Sequence, residues 1–267
     1  MSDVISDRVI SADGTSVVFD RLGAGPPVIV VGGAMCDRSV TRPLAERMAE
    51  HFTVVDYDRR GRGDSGDTMP YAVAREVEDL DALIAQVGGS AAIYGHSSGA
   101  ALALHAASAG LPVSRLVLHE PPFAADETRR RESREFAEGV RALLAQGRHG
   151  DAVASHLTGT GMPPELVDRM RAEPWWARAE ASAPTLSYDY EILDQGGEDG
   201  MTPVDLARRV TVPTLVLCGG TSPAWMIDMG RRIAGAVPDG RFMLLEDHGH
   251  VVPPETLVPL IEDFLTW

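Results

Sequence analysis

The sequence predicts an α/β fold with a mostly parallel central sheet flanked by helices, and three observations predict it. Short apolar runs of four or five residues, bounded by turn formers, recur along the chain. Between most of them lie stretches in which apolar residues recur with helical spacing. The chain has 267 residues, 44% of them hydrophobic, which is enough for a large buried core. Strands that alternate with helices are typical of a parallel sheet covered on both faces.

The first three apolar runs are separated by Asp13-Gly14 and by a turn at 23–27, which predicts an antiparallel hairpin followed by a buried strand. The predicted strands are 9–10, 16–19, 28–31, 52–55, 91–94, 115–118, 214–217 and 242–245. The helices predicted between them are 40–50, 73–87, 100–109 and 224–236, with a closing helix after Pro254.

One interval, from Ala124 to Arg209, contains no convincing strand and only helical segments such as 127–145 and 165–171. We expect a core domain formed by 1–123 and 210–267 and a helical cap at 124–209. The cap is expected over the carboxyl edge of the sheet, where ligands of such folds bind. Candidates to line the acyl or alcohol side of the pocket are Trp175, Trp176, Leu186 and Tyr190.

The charge and the cysteine content narrow the class of protein. A net charge of −15, from 24 basic and 39 acidic residues, repels phosphate backbones and anionic lipid, so we expect neither nucleic acid nor a membrane as partner. The first residues lack a secretory signal and no apolar stretch is long enough to cross a membrane, so a soluble, cytoplasmic protein is expected.

The two cysteines, Cys36 and Cys218, have no metal-ligand neighbours, and no disulfide framework, metal or organic cofactor is expected. Nothing in the sequence indicates an oligomeric state.

The stretch Gly95-His96-Ser97-Ser98-Gly99 lies between a predicted strand and a predicted helix. A sharp strand-to-helix turn leaves little room two residues before and after its centre, and glycine occupies both positions. Such a turn lifts the central Ser97 out of the sheet and makes it the candidate nucleophile. The N–H of Ser98, at the positive end of the helix, is a candidate donor to a developing oxyanion.

With this turn the chain resembles the α/β-hydrolase family over nearly all of its length outside the helical segment. Gly32-Gly33-Ala34 follows a strand where the family usually carries His-Gly-x, and glycine replaces the histidine. The resemblance implies that the Ala34 N–H is the second oxyanion donor. Residues 58–65 match the family's Asp-x-Arg-Gly-x-Gly-x-Ser turn at every fixed position, which implies a structural role and no catalytic one.

His248-Gly249-His250 follows the last strand, as in the family's Gly-His loop. The resemblance implies that His250 is the general base, which removes the serine proton and then protonates the leaving group. His248 is interpreted as a hydrogen-bonded loop residue. His96 is expected to pack against the sheet.

The acid of a catalytic triad is not evident where the family commonly places it. The loop after the penultimate strand, 219–223, contains no carboxylate, and Ser222 takes the expected position. Glu120 directly follows a strand that is adjacent to that of Ser97 in this fold, so we favour Glu120 as the acid. The competing interpretation is that Glu120 has no catalytic role and simply leads into the helical segment. Asp228, inside the next helix, and Asp247, close in sequence to His250, are weaker candidates.

These residues predict hydrolysis of an ester or lactone of a small molecule through an acyl-enzyme on Ser97. Alternatives on the same fold are cleavage of a carbon–carbon bond, or a lyase or cyclisation step. A catalytically silent receptor or scaffold is the alternative from another class. The acidic charge and the scarcity of cations in loops 32–36 and 219–223 favour a neutral substrate, unless Arg171 or Arg178 of the cap points into the pocket.

Overall fold

The computed structural model describes residues 4–194 and 201–266. Eight strands in these residues form one sheet in the order β1-β2-β4-β3-β5-β6-β7-β8. They are β1 (Ile5–Ile10), β2 (Ser16–Leu22), β3 (Pro27–Val31), β4 (Thr53–Tyr57), β5 (Ala91–His96), β6 (Val113–His119), β7 (Thr214–Gly219) and β8 (Gly240–Leu245). β1 with β2 and β2 with β4 pair antiparallel, and the other neighbours pair in parallel. The predicted opening hairpin and mostly parallel sheet are confirmed.

The helices in the described residues flank this sheet or lie between β6 and β7. They are α1 (Arg38–Met48), α2 (Val73–Gln86), α3 (Ser98–Ser108), α4 (Glu127–Ala145), α5 (His149–Gly159), α6 (Pro164–Met170), α7 (Trp176–Ser182), α8 (Leu186–Leu193), α9 (Pro203–Arg209), α10 (Ala224–Ala236) and α11 (Pro254–Thr266), with a 3-10 turn at Ala183–Thr185. Helices α4 to α9 all fall within 124–209, hereafter the helical segment, of which 195–200 lie outside the described residues.

Local capping sets several helix boundaries. Asp37 accepts a hydrogen bond from the Ser39 N–H, so α1 begins two residues before the predicted start. Asp126 accepts in the same way from the Arg129 N–H, which fixes the start of α4. Thr202 and Asp205 form a reciprocal capping box at α9, a helix that the sequence analysis did not single out.

The two faces of the sheet are buried in two hydrophobic clusters, because successive residues of a strand point to opposite faces. In β3, Ile29 and Val31 belong to the cluster that includes residues of α2, α3 and α10, whereas Val28 and Val30 belong to the cluster that includes residues of α1 and α11. Four consecutive fully buried residues explain why β3 shows no polar alternation.

A third cluster lies within the helical segment, formed by buried residues of α4 to α8 such as Val153, Trp176 and Leu186. Ala34 and Met35, in the loop after β3, pack against this cluster. The helical segment is therefore in contact with the carboxyl edge of the sheet at that loop. None of the described helices is long and apolar enough to span a membrane.

Candidate active site

Ser97 lies in a strained turn between β5 and α3. Its backbone has φ 57° and ψ −126°, outside the regions that L-residues usually adopt. A Cβ at Gly95 would lie 2.5 Å from the Gly99 carbonyl oxygen, and a Cβ at Gly99 would lie 2.3 Å from the Val31 carbonyl oxygen. Only glycine fits at both positions, because the turn brings backbone against backbone. The chain thereby presents Ser97 at the carboxyl edge of the sheet.

Backbone strain in the described residues is concentrated at this edge. Three non-glycine residues there have positive φ: Met35 at 57°, Ser97 at 57° and Glu120 at 52°. They follow β3, β5 and β6, three neighbouring strands of the sheet. Such conformations cost about 1–3 kcal/mol each and persist where the surroundings impose them, commonly at functional sites.

The loop after β3 approaches Ser97 closely. A Cβ built on Gly33 would lie 3.1 Å from the Ser97 Cβ and 3.2 Å from the His96 carbonyl oxygen. Ala34 follows in this loop, and Ser98 begins α3, where a first-turn N–H has no partner within the helix. The structure thus has both segments that carry the predicted oxyanion donors beside Ser97.

Glu120 and His250 are brought together, as the sequence analysis predicts for the acid and the base. His250 Nδ1 donates to Glu120 Oε2 at 2.5 Å, and the Gly219 N–H donates to Oε1 at 2.6 Å. The Glu120 side chain is fully buried, whereas the His250 side chain is 41% exposed. Both carboxylate oxygens are therefore occupied, and His250 keeps an accessible face.

The electrostatics of Glu120 favour its charged form. Burial raises the pKa of this carboxyl, but hydrogen bonds with His250 and the Gly219 N–H oppose burial, and the pKa lies below its usual range. Ser222, in the position where the family commonly has an aspartate, lies near this carboxylate.

The other acidic candidates lie elsewhere. Asp228 is 67% exposed on α10, with its carboxylate 3.5 Å from Arg231 of the same helix. Asp247 is exposed in the turn after β8. Neither shows a contact with His250.

A row of histidine rings adjoins the site. The His96 ring lies 4.7 Å from the His250 ring and 4.8 Å from the His119 ring, and His96 Nε2 donates to the His250 carbonyl oxygen at 2.9 Å. Burial lowers the pKa of His96 to about 4 and that of His119 well below its usual value, so both rings are neutral. His96 therefore packs within the site and holds the backbone of His250.

His119 is not among the site residues predicted from the sequence, although the sequence contains a signal for it. His119 immediately precedes Glu120, and the parallel register of β5 and β6 pairs it with His96. Its Nδ1 shares a 2.8 Å hydrogen bond with the Tyr94 hydroxyl. Adjacent parallel strands that each end in histidine predict neighbouring rings at the same sheet edge.

The residues named from the sequence as pocket lining lie in or against the third cluster. Trp176 and Leu186 are buried there, and Trp175 and Tyr190 pack against it. The Tyr190 hydroxyl shares a 2.8 Å hydrogen bond with Nδ1 of His156, a residue that the sequence analysis did not name.

The two arginines that could have changed the expected substrate charge are both exposed. Arg171 pairs with Asp151 at 3.0 Å and lies over the Trp176 ring. Arg178 borders an open surface cavity together with Arg38 and Asp64. Among the described residues no group of three or more His, Cys, Asp or Glu side chains is arranged to hold a metal ion.

Comparisons with known proteins agree with this architecture. Residues 23–257 match a model of the alpha/beta hydrolase family. The crystal structure of an alpha/beta hydrolase from Sphaerobacter thermophilus is 46% identical, with a TM-score of 0.87, over 97% of this chain and 100% of that one.

Curated relatives are more distant. N-formylmaleamate deformylase from Pseudomonas putida is 34% identical over 129 residues, and this match spans about half of each protein, 46% of this chain and 48% of the relative. 2-(Acetamidomethylene)succinate hydrolase from Mesorhizobium japonicum is 25% identical over 99% of this chain and 98% of the relative. From the family model and the Sphaerobacter structure, we conclude that the chain belongs to the alpha/beta hydrolase family of enzymes.

Proposed function

We propose that the protein is a serine hydrolase that cleaves an ester or lactone of a small molecule through an acyl-enzyme on Ser97. His250 is the general base and Glu120 the acid that orients and charges it. The observation that carries the proposal is the hydrogen bond between Glu120 and His250 at the sheet edge where Ser97 occupies its strained turn. A buried carboxylate bound to one imidazole nitrogen leaves the other nitrogen as base.

In the proposed reaction, His250 Nε2 takes the proton of Ser97 Oγ as that oxygen attacks the substrate carbonyl carbon. The negative charge that develops on the carbonyl oxygen is stabilised by the N–H groups of Ala34 and Ser98. His250 then gives its proton to the leaving alcohol oxygen as the carbon–oxygen bond breaks. Water, activated by the same imidazole, releases the acid from Ser97.

The helical segment is proposed as a cap domain, with 1–123 and 210–267 as the core. Its contact with Ala34 and Met35 supports a position over the substrate pocket. The net charge of −15 supports a neutral substrate and the absence of nucleic-acid and membrane partners. A cytoplasmic location is part of the same proposal.

Hydrolysis of a carbon–nitrogen bond is a second candidate, favoured by the names of two relatives. One is a deformylase of N-formylmaleamate and the other a hydrolase of 2-(acetamidomethylene)succinate. The same serine and histidine form an acyl-enzyme from an amide, with protonation of the leaving nitrogen. Cleavage of a carbon–carbon bond, or a lyase or cyclisation step, is the alternative chemistry for the same residues.

A fluorophosphonate probe tests the proposal, because it reacts with an activated serine. We expect labelling of the wild-type protein and none of Ser97→Ala, with identical circular dichroism spectra. Substrate turnover should fall by about a millionfold in that variant. Labelling that persists in a natively folded Ser97→Ala would exclude Ser97. A panel of acyl esters, lactones, N-acyl compounds and diketones then identifies the bond that is cleaved.

A further inference from the structure

A buried cluster of charged side chains joins the helical segment to the loop after β3. Its members are Arg59, Arg62, Glu76 and Asp189, each with a side chain no more than 2% exposed. Arg59 binds both oxygens of Glu76 at 2.7 Å. We call these four residues the charge cluster. It contains two cations and two anions and is therefore electrically balanced, as burial requires.

Asp189, on α8, is the only member from the helical segment. Its Oδ1 accepts from Arg59 Nη1 at 2.8 Å, from Arg62 Nη2 at 2.8 Å and from Ser98 Oγ at 2.7 Å, and its Oδ2 accepts from Arg62 Nη2 at 2.9 Å. Burial raises the pKa of this carboxyl, but the charges of Arg62 and Arg59 outweigh it and keep the pKa below its usual value. Asp189 is therefore an ionised anchor for three side chains of the core.

The arginines of the charge cluster extend to the backbone beside Ser97. Arg62 Nη1 donates to the Gly33 carbonyl oxygen at 2.5 Å, and Arg59 Nη1 donates to the Gly32 carbonyl oxygen at 3.3 Å. The Gly33 carbonyl and the Ala34 N–H belong to one planar peptide and point in opposite directions. Holding the carbonyl towards Arg62 therefore aims the Ala34 N–H away from Arg62.

The orientation of this peptide depends on such hydrogen bonds. Gly32 and Gly33 allow the backbone more conformations than other residues do, and the Gly33 carbonyl oxygen is held by Arg62 and, at 3.2 Å, by the Cys36 N–H. A rotated peptide would present its carbonyl oxygen, an acceptor, in place of the N–H donor. The other predicted donor, Ser98, is bound to Asp189 through its own hydroxyl.

We propose that Asp189 is a positioning residue for the oxyanion hole. Together with Arg62 it fixes the orientation of the Gly33–Ala34 peptide, and through its bond to the Ser98 hydroxyl it fixes the first residue of α3. The proposal rests on the proposed function, since it requires that Ala34 and Ser98 stabilise an oxyanion. It assigns a role to the turn at 58–65 beyond the structural one that the family resemblance implies.

The same turn provides a matched control. Arg60 and Asp79 form an equally buried pair, with side chains 0% and 1% exposed and two hydrogen bonds of 2.8 Å. Arg60 otherwise binds Asp13 and the Arg75 carbonyl oxygen and shows no contact with the loop after β3. Asp79→Asn therefore replaces a buried carboxyl group that pairs with an arginine, without touching the oxyanion donors.

The experiment compares Asp189→Asn with Asp79→Asn in the 267-residue chain. Thermal unfolding gives the loss of stability, and the second-order rate of labelling by a fluorophosphonate gives oxyanion stabilisation, since the phosphoryl oxygen occupies the same position. We expect similar losses of Tm. Labelling and kcat should fall about tenfold or more in Asp189→Asn, with KM changed little, and by less than about twofold in Asp79→Asn. Equal effects of the two variants, or a wild-type rate in Asp189→Asn, would overturn the positioning role.

A second variant covers the case in which Asp189→Asn does not fold. Ser98→Ala removes the hydrogen bond to Asp189 and a longer one of 3.4 Å from Arg59 Nη1, and leaves every charge of the cluster paired. Labelling should fall by about threefold or more, and an unchanged rate would refute the link between Asp189 and α3. Failure of the proposed function is recognised separately: if the probe does not label the wild-type protein, both proposals are wrong, whereas labelled wild type with equal variants refutes only the positioning role.

Discussion

His250 donates a 2.5 Å hydrogen bond from Nδ1 to Oε2 of Glu120, although the two residues lie 130 positions apart in the chain. Glu120 follows β6 and His250 follows β8, so the contact bridges the end of β7. The last residue of β7, Gly219, donates its N–H to the other oxygen of Glu120. β7 thus binds the Glu120 carboxylate through a backbone N–H, and contributes no carboxylate of its own to this contact.

This arrangement predicts the effect of removing the charge of Glu120. Glu120→Gln should lower kcat by roughly a hundredfold or more, because a neutral amide cannot stabilise the imidazolium and can hold the wrong tautomer. Steady-state kinetics on an ester, with circular dichroism to verify folding, measures the effect. Asp228→Asn is the control and should change kcat little, since Asp228 is exposed on α10. The reverse pattern would assign the acid to Asp228, and small effects of both would indicate a Ser-His dyad.

The close backbone approach at Gly95 predicts a loss of stability. In Gly95→Ala the new Cβ would meet the Gly99 carbonyl oxygen at 2.5 Å and the Ala100 Cα at 2.7 Å, neither of which can move without displacing α3. We expect the free energy of unfolding to fall by about 2 kcal/mol or more. Gly139→Ala is the control. Gly139 lies within α4, and a Cβ added there would meet no atom within 4 Å, so the change should raise stability by about 0.5–1 kcal/mol. Urea unfolding measures both, and equal stability of the two variants would contradict the account of the turn.

The burial of Asp56, in β4, predicts that the free energy of unfolding depends on pH. It is fully buried, with Oδ1 accepting a 2.5 Å hydrogen bond from Thr41. Burial raises its pKa to about 7, against the opposing effects of the Thr41 hydrogen bond and the Arg42 charge. A folded-state pKa above the unfolded value means that the folded protein binds more protons, so this contribution is complete below about pH 4 and is lost as the pH rises through 7.

The neutral variant Asp56→Asn removes that pH dependence. Between pH 5 and pH 8 the wild type should lose roughly 2–3 kcal/mol relative to Asp56→Asn, whichever of the two is more stable at pH 5. Urea unfolding of both proteins at the two pH values measures the difference. Parallel stability curves would show that Asp56 is already ionised in the folded protein at pH 5.

The charge balance near Ser97 predicts preference for an uncharged substrate. Arg59 and Arg62, two cations beside the loop after β3, are neutralised by Glu76 and Asp189, and Arg38, at the end of that loop, pairs with Asp20, Asp58 and Asp64. An anionic substrate would therefore approach against the net charge of −15 without a free cation from this cluster. A neutral ester should have a higher kcat/KM than its carboxylate-bearing analogue, and the difference should shrink as salt screens the field. Faster turnover of the anion at both low and high salt would be the contrary result.

The sheet could be predicted from the sequence because its strands are short apolar runs between turn residues. β3 is an example: Val28 to Val31 are all fully buried, and a run of this kind between Pro27 and Gly32 is typical of a central strand. Glu120 could be singled out for a related reason. It directly follows a strand, and in a parallel sheet the residues after neighbouring strands meet at one edge.

The charge cluster could not be predicted in this way. Arg62 and Asp189 lie 127 positions apart, and no local sequence pattern around either residue indicates that the two form a pair. Asp189 lies in α8, a short helix whose polar residues are indistinguishable in the sequence from an exposed face. Its burial depends on how the helical segment packs on the core, which is a tertiary property. The same holds for His156, whose partner Tyr190 lies three helices further on.

The bond between Asp189 and Arg62 bears on how substrate range in this protein could diverge. Ser97 and Glu120 both precede α4, so recombination could exchange helices α4 to α9 without altering the spacing of these two residues. The exchange would remove the carboxylate that neutralises Arg59 and Arg62. Chimaeras should therefore retain catalytic competence only when the incoming helices supply an acidic side chain at the place of Asp189, which makes that contact a compatibility requirement between the helical segment and the rest of the chain.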